Sequence, residues 1–212
     1  MILRKRKEDK IIALAGNPNV GKSTVFNALT GLHQHTGNWS GKTVGTAWGY
    51  GRETNSPYLF VDLPGTYSLY AHSEEEVVAR NYICSGEADL ILIICDAVSL
   101  QKNLNLTLQI LNVTKKAILI INLMDEAEKK NIYIDLNKIS ECLSIPVIGI
   151  CARQKDCCRQ ILSELDKYFG THPKHKLKQQ DSTITQFCIC HSDALDSEQS
   201  AALCIQKQRK FL

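Results

Sequence analysis

Gly16-Asn17-Pro18-Asn19-Val20-Gly21-Lys22-Ser23 is the stretch that decides the fold of this chain. It fits the pattern G-x-x-x-x-G-K-[ST], in which a glycine-rich loop wraps around phosphate groups. The apolar run Ile11–Ala15 precedes it and the helix-compatible run Thr24–Leu29 follows it, which is the strand, loop and helix order that the motif requires. The sequence therefore predicts that backbone N–H groups and the positive end of a helix hold the phosphates of a nucleotide.

Individual roles follow from the chemistry of the loop. Lys22 is expected to reach the β- and γ-phosphates, and the Ser23 hydroxyl to bind Mg²⁺. The alternative is a glycine-rich turn that binds nothing, and the flanking runs favour the phosphate loop. The predicted phosphate-binding residues are Gly16, Asn17, Pro18, Asn19, Val20, Gly21, Lys22, Ser23 and Thr24.

A second motif indicates which base is bound. The apolar run Ala117–Ile121 ends in Asn122-Leu123-Met124-Asp125, which fits N-x-x-D. The Asp125 carboxylate can accept hydrogen bonds from guanine N1–H and N2–H₂, whereas adenine offers no such pair of donors, so GTP is favoured over ATP. Asn122 is expected to tie this loop to the phosphate loop, and Leu123 to offer an apolar face to the base. The alternative is that Asp125 only caps the acidic helix that follows.

A third motif lies between these two. The predicted strand Tyr58–Val61 runs into Asp62-Leu63-Pro64-Gly65, which fits D-x-x-G. Asp62 is expected to hold Mg²⁺ through water, and the Gly65 N–H to contact the γ-phosphate. An ordinary turn rich in Asp, Pro and Gly is the alternative.

Two further loops complete the predicted site. The loop Gly37–Val44 contains Gly41 and Thr43, and the Thr43 hydroxyl could complete the Mg²⁺ shell and so detect GTP. The predicted strand Pro146–Ile150 leads into Cys151-Ala152-Arg153, where the Ala152 N–H could donate to guanine O6. GTPases usually have Ser where this chain has Cys151.

These motifs together resemble the cytosolic G domain of ferrous iron transport protein B, a family of bacterial iron transporters. The resemblance covers about residues 8–170 and rests on the stretches Gly16–Asn19, Gly37–Val44, Asp62–Leu69, Asn103–Gln109 and Asn122–Ala127. It implies slow GTP hydrolysis that is coupled to Fe²⁺ movement through a membrane-embedded permease domain. We expect this domain to be absent from the sequence, which is then either a fragment or a shortened gene product. The resemblance also implies a place in the cytoplasm at the inner face of the cell membrane, and it leaves a homo-oligomer open.

The resemblance further implies a potassium site. Thr66 follows the D-x-x-G motif at the position where Ras-like proteins carry a Gln that orients water. In the family, an Asn at the position of Asn19 helps to bind K⁺, which neutralises charge that builds up in the transition state. The alternative is that Asn19 only shapes the loop. The predicted catalytic residues are Lys22, Asn19, Thr43 and Gly65.

Composition and periodicity set the architecture. The 212 residues, 44% of them hydrophobic, suffice for one α/β domain and a short appendage. We predict a Ras-like P-loop GTPase fold for residues 1–170, a three-layer sandwich around a mostly parallel sheet of six to seven strands. For residues 171–212 we predict a linker with a truncated or helical C-terminal segment. Two strands are expected around 45–52 and 58–61, a helix with a capping box near Glu74–Ile83, and a last helix at Cys158–Tyr168 that stops at Gly170.

Charge and cysteine content exclude some classes of protein. A net charge of +3 is too small to indicate a nucleic-acid partner, and the longest apolar runs are too short to span a membrane. The cysteines are predicted to be free thiols, with Cys84, Cys95 and Cys142 buried and with Cys157-Cys158, Cys188-x-Cys190-His191 and Cys204 in a more polar setting. The alternative is that Cys188-x-Cys190-His191 forms half of a metal site. Two other functions stay open: an RNA-associated GTPase of ribosome assembly or tRNA modification, and a nucleotide-gated switch with little turnover.

Overall fold

The computed structural model describes residues 9–31, 35–38, 45–52, 58–70, 73–154 and 156–171, all of which fall in one compact unit. Strands and helices alternate along most of it. The strands are β1 (Lys10–Gly16), β2 (His35–Asn38), β3 (Gly45–Tyr50), β4 (Tyr58–Asp62), β5 (Leu90–Asp96), β6 (Ala117–Asn122) and β7 (Val147–Gly149). The helices are α1 (Lys22–Thr30), α2 (Glu74–Ser85), α3 (Leu100–Val113), α4 (Met124–Lys129), α5 (Leu136–Leu143) and α6 (Cys157–Thr171).

The seven strands form one sheet in the order β2-β3-β4-β1-β5-β6-β7. Strand β3 pairs antiparallel with both of its neighbours, and every other pairing is parallel. Strands β1, β5 and β6 are nearly continuous runs of Ile, Leu and Ala, as expected for parallel strands that are buried on both faces. The predicted fold class is thus confirmed.

Alternate residues of these strands feed two separate cores. Ala13, Ile93 and Leu119 pack in a cluster with residues of α2 and α3, among them Ala79 and Leu106. Ile12, Leu92 and Ile120 pack in the other cluster with residues of α1 and α6. Because the side chains of a strand point alternately to its two faces, this division produces a sheet between two layers of helices.

Local signals account for several boundaries. Helix α2 begins with the predicted capping box, in which the Glu76 N–H donates to Ser73 Oγ at 3.2 Å and the Ser73 N–H to Glu76 Oε2 at 3.4 Å. It ends at Gly86, whose φ of 68° is the left-handed conformation that glycine adopts most readily.

Two structural predictions were wrong. The sequence predicts a loop at Gly37 and Asn38, but both residues lie in β2, paired with Thr46 and Gly45 of β3. Gly37 is a weak strand former, so the sequence around it does not indicate a strand. The pairing with β3 is what makes this segment a strand. Helix α6 continues to Thr171, because Gly170 keeps a helical backbone rather than ending the helix.

The burial of the cysteines agrees with the sequence prediction only for some of them. Cys95 is buried as predicted, and burial raises the pKa of its thiol to about 12. Cys84 is only half-buried and Cys142 is exposed, whereas Cys157, expected in a polar setting, is buried in the core between the sheet and α6. In an amphipathic helix, one position can be exposed and the next buried. The types of the neighbouring residues alone therefore do not predict whether a given cysteine is buried. Cys188, Cys190 and His191 lie outside the described residues.

Among the helices that the structure describes, none has both the length and the apolar character that a membrane crossing requires. The appendage is predicted from residue 171 onward, but Thr171 still belongs to α6. Residues 172–212 lie outside the described residues, so the rest of the appendage stays a prediction.

Candidate nucleotide-binding site

The site lies at the carboxyl ends of the parallel strands. Strands β1, β4 and β6 end at Gly16, Asp62 and Asn122 and run in the same direction, so that their ends share one edge of the sheet. This edge is where open α/β sheets bind their ligands.

The phosphate loop curls because two of its residues adopt left-handed conformations. The φ angle is 66° at Asn19 and 86° at Gly21. A Cβ atom on Gly21 would collide with the side-chain amide of Asn122, and one on Gly16 would lie 2.5 Å from the Ile94 carbonyl oxygen. Both glycines are therefore required by close contacts as well as by the motif.

Lys22 and Ser23 meet Asp62 directly. The Lys22 ammonium Nζ lies 2.5 Å from Asp62 Oδ1, and Ser23 Oγ donates to Asp62 Oδ2 at 2.9 Å. The Lys22 and Asp62 side chains are only 10% and 12% exposed, so each charge depends on the other for most of its compensation.

Ser23 and Asp62 also fit a magnesium site. A serine hydroxyl and a carboxylate held side by side are oxygen ligands of the kind that Mg²⁺ prefers, and both stand at the base of the phosphate loop. In the part of the chain that the structure describes, no group of three or more His, Cys, Asp or Glu residues forms a separate metal cluster. Gly41 and Thr43, which were predicted to take part in nucleotide and Mg²⁺ binding, lie outside the described residues.

The D-x-x-G loop lies against the phosphate loop. The Leu63 N–H donates to the Leu14 carbonyl at 3.1 Å and the Thr66 N–H to the Gly16 carbonyl at 3.2 Å. Between them, a Cβ on Gly65 would come within 3.1 Å of Pro18 Cα. Pro64 and Gly65 are thereby held beside the residues that are predicted to surround the phosphates.

Asn122 joins three loops. Its side-chain Nδ2 donates to the Val20 carbonyl in the phosphate loop at 3.0 Å, and its Oδ1 accepts from the Ala152 N–H at 2.9 Å. The residue is 1% exposed. The first contact is the tie between the base loop and the phosphate loop that the sequence predicts. The second differs from the prediction, because the Ala152 N–H donates to Asn122 rather than pointing towards a base.

Asp125 lies in the first turn of α4. The residue that caps this helix is Leu123, with φ at 62°, so the alternative that Asp125 is a capping residue is wrong. The Cys151 thiol donates to the Asp125 carboxylate and is the main reason why the pKa of Asp125 lies below its ordinary value. Burial raises the pKa of the Cys151 thiol, so that it keeps the proton it donates.

The Cys151 contact was missed from the sequence. The position itself could have indicated the contact. GTPases usually carry Ser there, and both Ser and Cys can donate a hydrogen bond to the aspartate. The backbone around it is fixed by two further bonds, from the Ile150 N–H to the Ile121 carbonyl at 2.8 Å and from the Met124 N–H to the Ile150 carbonyl at 3.2 Å. Arg153, another residue of the predicted site, is exposed.

The fold and the site together define the P-loop GTPase class. Residues 10–165 match the family model described as ferrous iron transport protein B. The chain belongs to this family, and it contains the family's G domain.

Curated relatives are much longer than this chain. The Fe(2+) transporter FeoB of Shigella flexneri is 42% identical over 161 residues, which cover 74% of this chain and 21% of the relative. That of Salmonella typhimurium is 45% identical over 143 residues, covering 66% of this chain and 18% of the relative. The chain therefore spans about a fifth of the length of these relatives.

Solved structures agree with the family. The G domain of the T. maritima FeoB iron transporter is 38% identical with a TM-score of 0.70, and the match covers 76% of this chain and 98% of that one. The apo cytosolic domain of the same transporter is 36% identical with a TM-score of 0.73, covering 82% and 68%. A mutant of S. thermophilus NFeoB bound to mGDP is 37% identical with a TM-score of 0.69, covering 73% and 59%.

We expect Asn122→Ala to destabilise the protein strongly. The change leaves the Val20 carbonyl and the Ala152 N–H buried without their present partner, at a cost of about 1–3 kcal/mol for each group. Urea unfolding monitored by circular dichroism measures the loss. Asn137→Ala, on the exposed side of α5, is the matched control and should change stability by less than about 0.5 kcal/mol. Equal stability of the two variants would contradict the role assigned to Asn122.

Proposed function

We propose that the chain binds GTP, hydrolyses it slowly, and thereby regulates Fe²⁺ transport by a membrane-embedded permease domain. The observation that carries the proposal is that Lys22 and Ser23 of the phosphate loop both contact Asp62, and that Asn122 ties this loop to the turn that carries Asp125. The first three of these residues suit phosphates with Mg²⁺, and Asp125 suits guanine.

The relatives support both parts of the proposal. Structures similar to this chain are described as bound to GDP or mGDP. Curated relatives are described as Fe(2+) transporters, and this chain matches about a fifth of their length. We infer that the permease lies in the remaining part of such a protein and that the G domain works at the inner face of the cell membrane. Family membership also favours iron transport over the RNA-associated alternative.

Each residue of the site has a role in the proposed reaction. Lys22 binds the β- and γ-phosphates, exchanging the Asp62 carboxylate for phosphate oxygens without losing a negative partner. Ser23 and Asp62 would hold Mg²⁺, which neutralises charge on the phosphates when bound. The Gly65 N–H would contact the γ-phosphate, and the Asp125 carboxylate would orient the base.

The residue after D-x-x-G cannot orient water in the present conformation. Thr66 is 1% exposed, and its hydroxyl donates to the Ser68 carbonyl at 2.6 Å, with Glu76 Oε1 at 3.3 Å. Thr66 therefore does not supply the water-orienting side chain that the Gln of Ras-like proteins supplies at this position. This supports slow turnover and the proposal that K⁺ at Asn19 supplies positive charge.

Asp125→Ala should weaken GDP binding by about tenfold or more, because guanine N1–H and N2–H₂ lose their shared acceptor. Isothermal titration calorimetry with GDP measures the change. Glu128→Ala, an exposed change on the same helix α4, is the control and should leave the affinity as it is. If wild-type protein binds ADP more tightly than GDP, the guanine assignment is wrong.

Lys22→Ala and Ser23→Ala should both weaken GTP binding but respond differently to Mg²⁺. The first removes a charge from the phosphates, whereas the second removes one ligand of the ion. Raising Mg²⁺ should therefore restore much of the affinity of Ser23→Ala and little of that of Lys22→Ala. A titration of a fluorescent GTP analogue at several Mg²⁺ concentrations separates the two. Identical Mg²⁺ responses would contradict the assigned roles.

Single-turnover GTP cleavage should be faster in KCl than in NaCl at equal ionic strength, which keeps screening constant. Asn19→Gly should abolish the difference, since it removes the amide oxygen while tolerating the left-handed backbone at this position. Asn131→Gly, at another left-handed position with φ at 55°, is the matched control. Equal wild-type rates in the two salts would rule out the K⁺ site and leave GTP hydrolysis in place.

A further inference from the structure

Gln109 of α3 holds the segment that follows the D-x-x-G motif. Its side-chain Oε1 accepts from the Leu69 N–H at 2.6 Å, and Ser68 Oγ lies 3.0 Å from the same atom. Because a backbone N–H can only donate, the amide orientation is fixed with the oxygen towards this segment. Gln109 lies 40 residues from Leu69 in the chain, so the contact is a long-range one.

The helix that carries Gln109 is itself firmly attached to the sheet. Asn103 Oδ1 accepts from the Asp96 N–H at the end of β5 at 2.8 Å. Thr107 Oγ1 lies 3.4 Å from Cys95 Sγ, and both residues are buried. Leu106, on the same helix, packs in the core. The stretch Asn103–Gln109, which is one basis of the family resemblance, is thus part of a helix that is attached to the sheet. This helix also makes a polar contact with the segment that follows the D-x-x-G motif.

The other end of the segment is attached to the phosphate loop. The Thr66 N–H donates to the Gly16 carbonyl, and the Gly65 backbone is in close contact with Pro18. Between the two attachments, the Thr66 hydroxyl donates to the Ser68 carbonyl at 2.6 Å and closes a tight turn. A shift at Leu69 is therefore passed to Gly65 through a short segment that is hydrogen-bonded at both ends.

We propose that Gln109 is a positioning residue that presents the Gly65 N–H to the γ-phosphate and so sets the preference of the site for GTP over GDP. The proposal rests on the function proposed above. GDP has no γ-phosphate, so its binding does not use Gly65. Loss of the Gln109 contact should consequently affect the two nucleotides unequally.

The test compares Gln109→Met with Gln109→Glu in the whole chain. Methionine has a similar length but offers no oxygen acceptor, whereas glutamate keeps the acceptor at the same distance along the side chain. Dissociation constants are measured for GDP and for a non-hydrolysable GTP analogue at saturating Mg²⁺. Gln101→Met, an exposed change on the same helix, is the matched control.

For Gln109→Met we expect an affinity for the GTP analogue that is lower by about fivefold or more, with GDP affinity changed less than about twofold. Gln109→Glu and Gln101→Met should keep the wild-type ratio of the dissociation constant for GDP to that for the GTP analogue. Ser68→Ala removes one of the two donors to Gln109, together with the acceptor of the Tyr70 N–H, and leaves α3 unchanged. It should lower the preference for the GTP analogue over GDP by a smaller factor, and it serves if Gln109→Met does not fold.

If Gln109→Met changes the affinities for GDP and for the GTP analogue by the same factor, or changes neither, the positioning role is overturned. Binding of guanine nucleotides by the wild-type protein would still support the proposed function. An unchanged ratio in Ser68→Ala would overturn the positioning role in the same way if that variant has to be used. Failure of the wild-type protein to bind either guanine nucleotide would overturn both proposals.

Discussion

The side chain of Asn122 is the contact on which the arrangement of the site depends. It is 1% exposed and bonds with the Val20 carbonyl and the Ala152 N–H, which belong to two other loops. Breaking either bond in so buried a place leaves a polar group unpaired, so the three loops are held at fixed separations before a ligand arrives. The contact also explains Gly21, since a Cβ there would collide with the Asn122 amide.

The charged groups beside Asn122 are paired in a way that suits the proposed exchange of partners on nucleotide binding. Lys22 and Asp62 are nearly buried and paired at 2.5 Å, and Ser23 shares the same carboxylate. Removing one partner from such a pair is costly, but replacing Asp62 by a phosphate keeps the ammonium compensated. The D-x-x-G loop that carries Asp62 is attached both to the phosphate loop and, through Gln109, to α3. The proposed exchange of partners at Lys22 would therefore take place in a loop that is hydrogen-bonded to α3.

The sequence predicted those features that depend on short, local patterns. The strand before Gly16, the N-x-x-D turn at Asn122 and the capping box at Ser73 all follow from neighbouring residues. It failed where distant segments decide the outcome. Strand β2 exists through its ladder with β3, the Ala152 N–H is taken by a side chain 30 residues away, and Gln109 reaches a loop 40 residues away. The role of Cys151 as a hydrogen-bond donor could not be predicted for the same reason, because it depends on how close the fold brings Asp125.

A crystal structure of the chain with a GTP analogue and Mg²⁺ tests the central claim most directly, namely that Asn122 holds a preformed guanine-nucleotide site. The account predicts that the Asn122 contacts with Val20 and Ala152 persist, that Lys22 moves from Asp62 to the phosphates, and that Asp125 contacts the base. A nucleotide bound at another place, or a site in which both Asn122 contacts are broken, would contradict it.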